Sequence, residues 1–256
     1  MHYLAICAIA KDEDDYLLEW VRYHRAAGVE RIVIFDNESA RPVADVLREY
    51  VDAGYVDTIV APGSPVQVHA YDYYLQYMGG ESFWTAFIDI DEFLVPVRHN
   101  DVKTLLRAYE PFAALSVNWL LFGSSGHKTK PAGLTIDNFL MRSEKSHPDN
   151  AHVKCIVQPP KVVRATGPHA FVYRPGEQCV NESKQPVRGP FAPHSSELIQ
   201  LNHYVMRSEE ECIRRRSRRR ADIGEMYPSL EWYKERDAAC NAVRDETILR
   251  FRPFVL

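Results

Sequence analysis

Two carboxylates two residues apart, Asp89 and Asp91, lie within Phe87-Ile88-Asp89-Ile90-Asp91-Glu92-Phe93, and their types and spacing suit metal chemistry. The apolar residues before them (Phe83, Trp84, Ala86) and after them (Phe93-Leu94-Val95) read as buried strand. Residues i and i+2 of a strand share a face, so the two acids are expected to project together. Like charges on one face resist burial unless a cation lies between them. Hard divalent cations take carboxylate oxygens. At the carboxyl end of a strand in an open α/β sheet, such a pair can hold a metal that grips a diphosphate. The alternative is two solvated acids in a strand-to-loop turn. The apolar residues on either side favour the metal.

The elements that must position this pair alternate along the first 95 residues. Tyr3 to Ala10 reads as a strand. The acids Asp12 to Asp15 precede Leu17, Trp20, Val21 and His24 at helical spacing, and Gly28 ends that helix. Arg31 to Phe35 is a second strand. Pro42 opens a helix with Val43, Val46, Leu47 and Tyr50 on one stripe. Tyr55 to Val60 is a third strand, and Tyr71, Tyr74, Leu75 and Met78 mark a third helix. Four such alternations predict a parallel, doubly wound, Rossmann-like α/β sheet. No glycine occurs in Ala8-Ile9-Ala10-Lys11-Asp12-Glu13, so the dinucleotide fingerprint is absent, as is a Walker loop. Instead the first two strands end in Lys11, Asp12 and Glu13, then in Asp36 and Asn37. These groups suit hydrogen bonds to a nucleoside's base and ribose. Helix capping accounts equally well for Asp12 and Glu13, so Asp36 is the better candidate.

The second half is less regular. Phe112 to Leu121 reads as a long strand ending in Phe122-Gly123-Ser124-Ser125-Gly126-His127. Leu134 to Met141 reads as a short helix. Val153 to Val157, Lys161 to Arg164 and Ala170 to Tyr173 read as a small antiparallel add-on, and Cys179 to Ser196 as a loop. Leu198 to Tyr204 is a last strand, with helices from about Ser208 and Ser229. We expect one domain over 1–256: a nucleotide-binding half over 1–95, an acceptor half over 96–206 and C-terminal helices over 207–256.

Composition fits a soluble enzyme. The 256 residues are 46% hydrophobic and 26% charged, with a net charge of −4, which gives no reason to expect nucleic acid. Five cysteines without CxxC spacing read as free thiols in a reducing, cytoplasmic setting. No signal peptide or membrane-spanning run is visible. Six arginines in Arg214 to Arg220 form either a solvated helix or a contact for an anionic partner, such as the inner membrane surface.

Taken together, the sequence resembles glycosyltransferase family 92 and its bacterial family-2-like relatives. The segments that carry the resemblance are Ala8 to Glu13, Ile34-Phe35-Asp36-Asn37-Glu38-Ser39, Phe87 to Phe93, Asn118 to His127, Lys154-Cys155-Ile156-Val157 and His203-Tyr204. The resemblance implies a GT-A fold, a nucleotide-sugar donor with UDP as the default, and Mn2+ or Mg2+. It also implies inversion at the anomeric carbon and a glycan or lipid-linked acceptor, in a bacterial cytoplasmic setting. Asp91 is then the first metal ligand, with Asp89 on the metal or the ribose and His203 a third ligand. Lys154 and His169 are candidate phosphate contacts. An inverting transfer needs a carboxylate base, for which Asp137 and Glu144 are candidates, with Asp149 as another; helix capping also explains Asp137. Trp119, Phe122 and the Gly-Ser-Ser-Gly turn are a candidate acceptor platform, though Trp119 also fits core packing. A sugar nucleotidyltransferase and a non-catalytic carbohydrate or anionic-surface binding module are the alternatives.

Overall fold

The structure is a computed structural model and describes residues 1–215 and 229–256. The chain opens with β1 (His2–Ala10), buried from Leu4 onward on both faces, as a strand covered by helices on both sides must be. Its alternate residues divide the interior. Leu4, Ile6 and Ala8 pack against Trp20 and Tyr23 of α1 (Asp14–Ala26), while Cys7 and Ile9 face an opposite apolar layer. Next come β2 (Arg31–Asp36), α2 (Val43–Val46), α3 (Arg48–Asp52), β3 (Val56–Val60), α4 (Gln67–Tyr77) and β4 (Ser82–Phe87). The stripe after Pro42 is therefore broken into two short helices at Leu47.

The later elements are β5 (Glu92–Pro96), α5 (Val102–Leu106), β6 (Ala114–Leu121), α6 (Thr135–Asn138), β7 (Met141–Arg142), β8 (Val153–Val157), β9 (Val162–Gly167) and β10 (Ala170–Tyr173). They continue with β11 (Cys179–Val180), β12 (Pro186–Val187), β13 (Ile199–His203), α7 (Glu209–Arg215), α8 (Leu230–Ala239) and β14 (Val243–Arg244). Among the described residues ten strands form one sheet, in the order β12-β11-β6-β8-β4-β1-β2-β3, with β13 pairing β5 and β6. The pairs β1–β2, β1–β4 and β2–β3 are parallel. Strand β8 runs antiparallel between β4 and β6, so β6 points the same way as β4, and β13 is parallel to β6.

The α/β fold with a mostly parallel sheet is the one expected, and three local expectations change. Val153–Val157 belongs to the centre of the sheet, and only β9 and β10 form the separate antiparallel hairpin. Five apolar or half-apolar residues flanked by proline-rich loops look alike in a hairpin and in a buried central strand, which explains the misreading. The helix expected over Leu134 to Met141 is a single turn followed by β7. Cys179 to Ser196 contributes β11 and β12 to the sheet edge.

Helix α1 is pinned to β5 by side chains. Trp20 donates its indole N–H to Glu92 O (2.8 Å) and Tyr23 its hydroxyl to Leu94 O (3.0 Å). Between them His24 is fully buried. Its Nδ1 lies 2.9 Å from Trp20 O, and its Nε2 accepts the Leu94 N–H at 3.4 Å, which defines a neutral ring protonated on Nδ1. Burial lowers this imidazole from 6.5 to about 3. Below pH 6.5 the unfolded chain binds a proton that the folded chain refuses, so stability is complete above 6.5 and falls as pH drops towards 3. At pH 5 the loss from this one group is about 2 kcal/mol. Urea unfolding at pH 7 and pH 5 should therefore show a larger drop for the wild type than for His24→Gln, by about that amount.

Candidate active site at the carboxyl edge of the sheet

Strand β4 ends at Phe87, and Ile88 to Asp91 turn the chain into β5. The two isoleucines anchor the turn in the core, while the two aspartates stay half-buried at the sheet's carboxyl edge. The acids thus sit in a turn, and each faces different partners. Asp89 Oδ2 is 2.7 Å from Lys154 Nζ, and its Oδ1 accepts Gln67 Nε2 at 2.6 Å. Asp91 Oδ1 lies 3.5 Å from His203 Nε2, and its Oδ2 lies 3.9 Å from Arg215 Nη1.

Lys154 projects from β8, whose register places Cys155 opposite Phe87, so the lysine comes up beneath the turn. It is 1% exposed, and a second carboxylate, the buried Glu92, lies 3.6 Å away. Burial alone would lower the ammonium's pKa. Asp89 and Glu92 outweigh it and hold the group well above its ordinary value. Burial pushes Glu92 up to about 7 against the pull of Lys154. Glu92 Oε2 accepts Asp89 N (2.8 Å) and its Oε1 accepts Trp119 Nε1 (2.5 Å). The Trp119 ring then packs on His203 (4.3 Å between centroids), His152 (4.6 Å) and His169 (5.0 Å).

The second centre surrounds Asp91. Burial would raise its carboxyl, but His203, Arg207 and Arg215 hold it well below the usual carboxylate range. Tyr204 N donates to Asp91 O (2.8 Å), tying the turn to the end of β13. Arg207 has φ 51° and pairs with Glu13 at 2.8 Å, its guanidinium 3.6 Å from the Tyr16 ring centroid. Arg215, nearly buried, also donates to Val205 O (2.5 Å) and Met206 O (3.1 Å).

The remaining sequence candidates fall as follows. Glu13 joins this second centre through Arg207. Asp36 accepts Ser39 N (2.9 Å) and Val43 N (3.0 Å), so it closes the turn into α2. Lys11 is half-buried in the turn after β1. His169 lies against Trp119 with Nδ1 2.9 Å from Val153 O, and burial, aided by Lys154, lowers it to about 3. Asp137 forms an exposed-side ion pair with Arg252 at 2.7 Å, Glu144 is exposed, and Asp149 pairs with Arg236. The structure thus brings together Asp89, Asp91, Lys154 and His203, and puts Asp137 and Glu144 in other surroundings. Phe122 is buried against Tyr204, and the turn that follows it is clamped by α8: Asp237 accepts Ser124 N and Oγ (both 2.6 Å), and Asn241 accepts Ser125 N (2.8 Å). A Cβ on Gly123 would lie 2.6 Å from Asn241, which explains that glycine. This turn and Phe122 thus form a joint on which α8 docks.

Gln67, Arg207 and Arg215 were not singled out from sequence. Gln67 carries no local signal, since its role depends on α4 meeting the β4–β5 turn. Arg215 lies hidden in the arginine run, where Arg214 makes an exposed pair with Asp15 at 3.3 Å; Arg216 to Arg220 lie outside the described residues. Among the described residues no group of three His, Cys, Asp or Glu side chains could hold a metal ion, and no helix is long and apolar enough to cross a membrane.

Lys154→Met leaves Glu92 and Asp89 without their cation inside the protein, and should lower stability by about 3–5 kcal/mol in urea unfolding at pH 7. Asp237→Ala strips two bonds from the Gly-Ser-Ser-Gly turn and should cost about 1–3 kcal/mol in the same measurement.

The sequence profile of glycosyltransferase family 92 matches residues 2–226. A family 92 protein of Ricinus communis is 31% identical over 213 residues, covering 79% of this chain and 35% of its own length. One of Oryza sativa is 25% identical over 184 residues, covering 70% of this chain and 31% of its own. The chain thus spans about a third of the length of these plant relatives. Among solved structures, S. aureus TarS 1–349 aligns with a TM-score of 0.41 at 11% identity, covering 84% of this chain and 64% of that one. The same fragment in complex with UDP aligns at 0.40 and 9% identity, covering 61% and 47%. With the profile spanning nearly the whole sequence, the chain belongs to glycosyltransferase family 92.

Proposed function

We propose that this chain transfers a sugar from a nucleotide-sugar donor to a hydroxyl of a glycan or lipid-linked acceptor, with a divalent metal and with inversion. Family membership supports sugar transfer, and UDP as the nucleotide follows from the family resemblance. The observation that carries the reading is the facing pair Asp91 and His203, 3.5 Å apart in basic surroundings at the ligand-binding edge of the sheet.

The donor set fits a metal with two protein ligands. A carboxylate oxygen and an imidazole nitrogen suit manganese, and magnesium less well. Asp89 is committed to Lys154 and Gln67, so its part is to position Lys154, and Asp91 with His203 would hold the ion. Bound there, the ion would neutralise charge growing on the departing diphosphate. Of the chain's own cations Arg215, beside Asp91, would act in the same sense on a diphosphate.

The test is UDP release from a panel of UDP-hexoses and UDP-N-acetylhexosamines with and without Mn2+. The wild type should turn over at least one of them, and Asp91→Ala and His203→Ala should each lower the rate by about 10²–10³. No release by the wild type from any sugar nucleotide would overturn the reading, and equal rates with excess chelator would overturn the metal.

A further inference from the structure

Strand β8 runs against β4 and β6, so it begins at the edge where those two strands and β13 end. His152, just before β8, is thereby delivered to that edge. The segment between β12 and β13 is tied to it through the backbone. His152 and Phe191 form an antiparallel bridge, Val153 N donates to Pro190 O (3.1 Å), and Ala192 N donates to Ala151 O (2.8 Å). His169 lies in the turn joining β9 to β10. Four rings meet here. Phe191 and His152 pack edge-to-face at 4.6 Å between centroids, His152 stacks on Trp119, and His169 lies 5.4 Å from His152. Trp119 also packs on His203, the partner of Asp91, so the cluster begins at the candidate active site and runs outward from it.

Packing leaves two features of this cluster unused. The first is the Phe191 ring, on a residue that is 55% exposed. A single exposed apolar side chain is ordinary. This one is held by the bridge and by the His152 ring, so its open surface is already ordered for a ligand. The second is a pair of imidazole nitrogens. His152 Nδ1 lies 3.0 Å from Asp149 O, and His169 Nδ1 lies 2.9 Å from Val153 O. A carbonyl only accepts, so Nδ1 carries the hydrogen in each ring, and Nε2 of the neutral ring presents a lone pair. Both histidines are half-buried. Among the described residues neither Nε2 has a hydrogen-bond partner, and neither is enclosed as His203 Nδ1 is.

These features select a ligand class. Two lone pairs repel the oxygens of a phosphate or carboxylate, and burial together with Lys154 keeps His169 neutral. Among the described residues no third His, Cys, Asp or Glu joins the two imidazoles to make a metal cage. What suits the cluster is a neutral molecule with hydroxyl donors for the nitrogens and a C–H face for the negative face of an aromatic ring. A pyranose has both. We infer that this ring cluster is a carbohydrate subsite, in which a single pyranose lies against Phe191 and donates hydroxyls to His152 Nε2 and His169 Nε2. On the sugar-transfer reading above, on which this role rests, that pyranose belongs to the acceptor. The subsite needs neither donor nor metal to bind, so its failure is separable from failure of that reading.

The experiment is ligand-observed saturation-transfer NMR with a panel of methyl α- and β-hexopyranosides and methyl N-acetylhexosaminides, without nucleotide or metal. The wild type should give transfer to at least one glycoside. Phe191→Ala removes the exposed ring and should weaken that binding about tenfold. His169→Phe keeps a ring against Trp119 but removes the acceptor nitrogen, and should also weaken it about tenfold. Urea midpoints show which variants fold, and if His169→Phe unfolds, Phe191→Ala alone decides. No transfer to any glycoside overturns the inference; so does transfer undiminished in either folded variant. UDP release is scored separately on the same preparations. Sugar-nucleotide turnover without glycoside binding would overturn the subsite and leave the transferase reading in place, whereas glycoside binding lost in both variants, with no turnover, would do the reverse.

Discussion

The geometry of this site depends on one buried ammonium. Lys154 is almost fully removed from water, and an isolated charge in that position would cost several kcal/mol. It is tolerated because Asp89 meets it at 2.7 Å and Glu92 stands 3.6 Å away. Each of those carboxylates is held in turn, Asp89 by Gln67 and Glu92 by Trp119 and the Asp89 amide. The β4–β5 turn therefore has few alternative conformations. Any rotation of Asp89 towards solvent would strand the lysine, and any shift of Glu92 would break its bonds to the turn and to Trp119. Strand β8 is the element that makes this possible. Its antiparallel insertion between β4 and β6 delivers Lys154 to a place no parallel strand of the first half reaches.

That arrangement separates two roles that spacing alone would merge. Asp89 and Lys154 neutralise one another. Asp91, on the other side of Ile90, faces His203, Arg207 and Arg215 and stays ionised. A unit charge pair at 4 Å attracts by about 4 kcal/mol at an effective dielectric of 20, before desolvation is counted. Of its basic neighbours Arg207 is also paired with Glu13, which leaves Arg215 and the His203 ring to face Asp91. The link between the two centres is Trp119: its indole N–H anchors Glu92 and its ring packs on His203, so the two centres share one rigid frame.

Much of the first half was legible because β1, β2, β3 and β4 are apolar runs separated by helical stripes, and a parallel sheet buries both faces of its strands. The acidic turn was legible for the same reason, since charges abruptly end an apolar run. The later elements were not, because their assignment depends on partners distant in sequence. Val153 to Val157 has the same local pattern as the hairpin strands that follow it, and only pairing with β4 and β6 distinguishes it. Asp36 stands out because it ends a strand, and the sequence does not show that the amides of Ser39 and Val43 lie within its reach and meet both oxygens. Asp137 likewise has the composition of a base, and Arg252, 115 residues away, decides its environment. Arg214 and Arg215 are adjacent and identical in sequence. One is exposed on Asp15 and the other is nearly buried beside Asp91, a difference that comes from which face of α7 meets β13.

The C-terminal region is part of the site and not an appendage to it. Arg215 of α7 reaches Asp91. Tyr233 of α8 donates its hydroxyl to Arg207 O at 2.9 Å, at a residue whose φ of 51° is strained for a side chain of that size. From the same helix Asp237, and just past its end Asn241, grip the turn after β6. Helix α8 therefore fixes two segments that leave the carboxyl ends of β6 and β13, and the segment after β13 borders Asp91. The family profile ends at residue 226, before α8 begins. The requirement for such a clamp is nonetheless written inside the matched region. Gly123 leaves no room for a side chain because Asn241 occupies that space, and the Ser124 hydroxyl and amide both donate to an acid brought to them from outside the sheet. A segment that follows the profile must supply those groups, and the geometry of the site rests on their being in place.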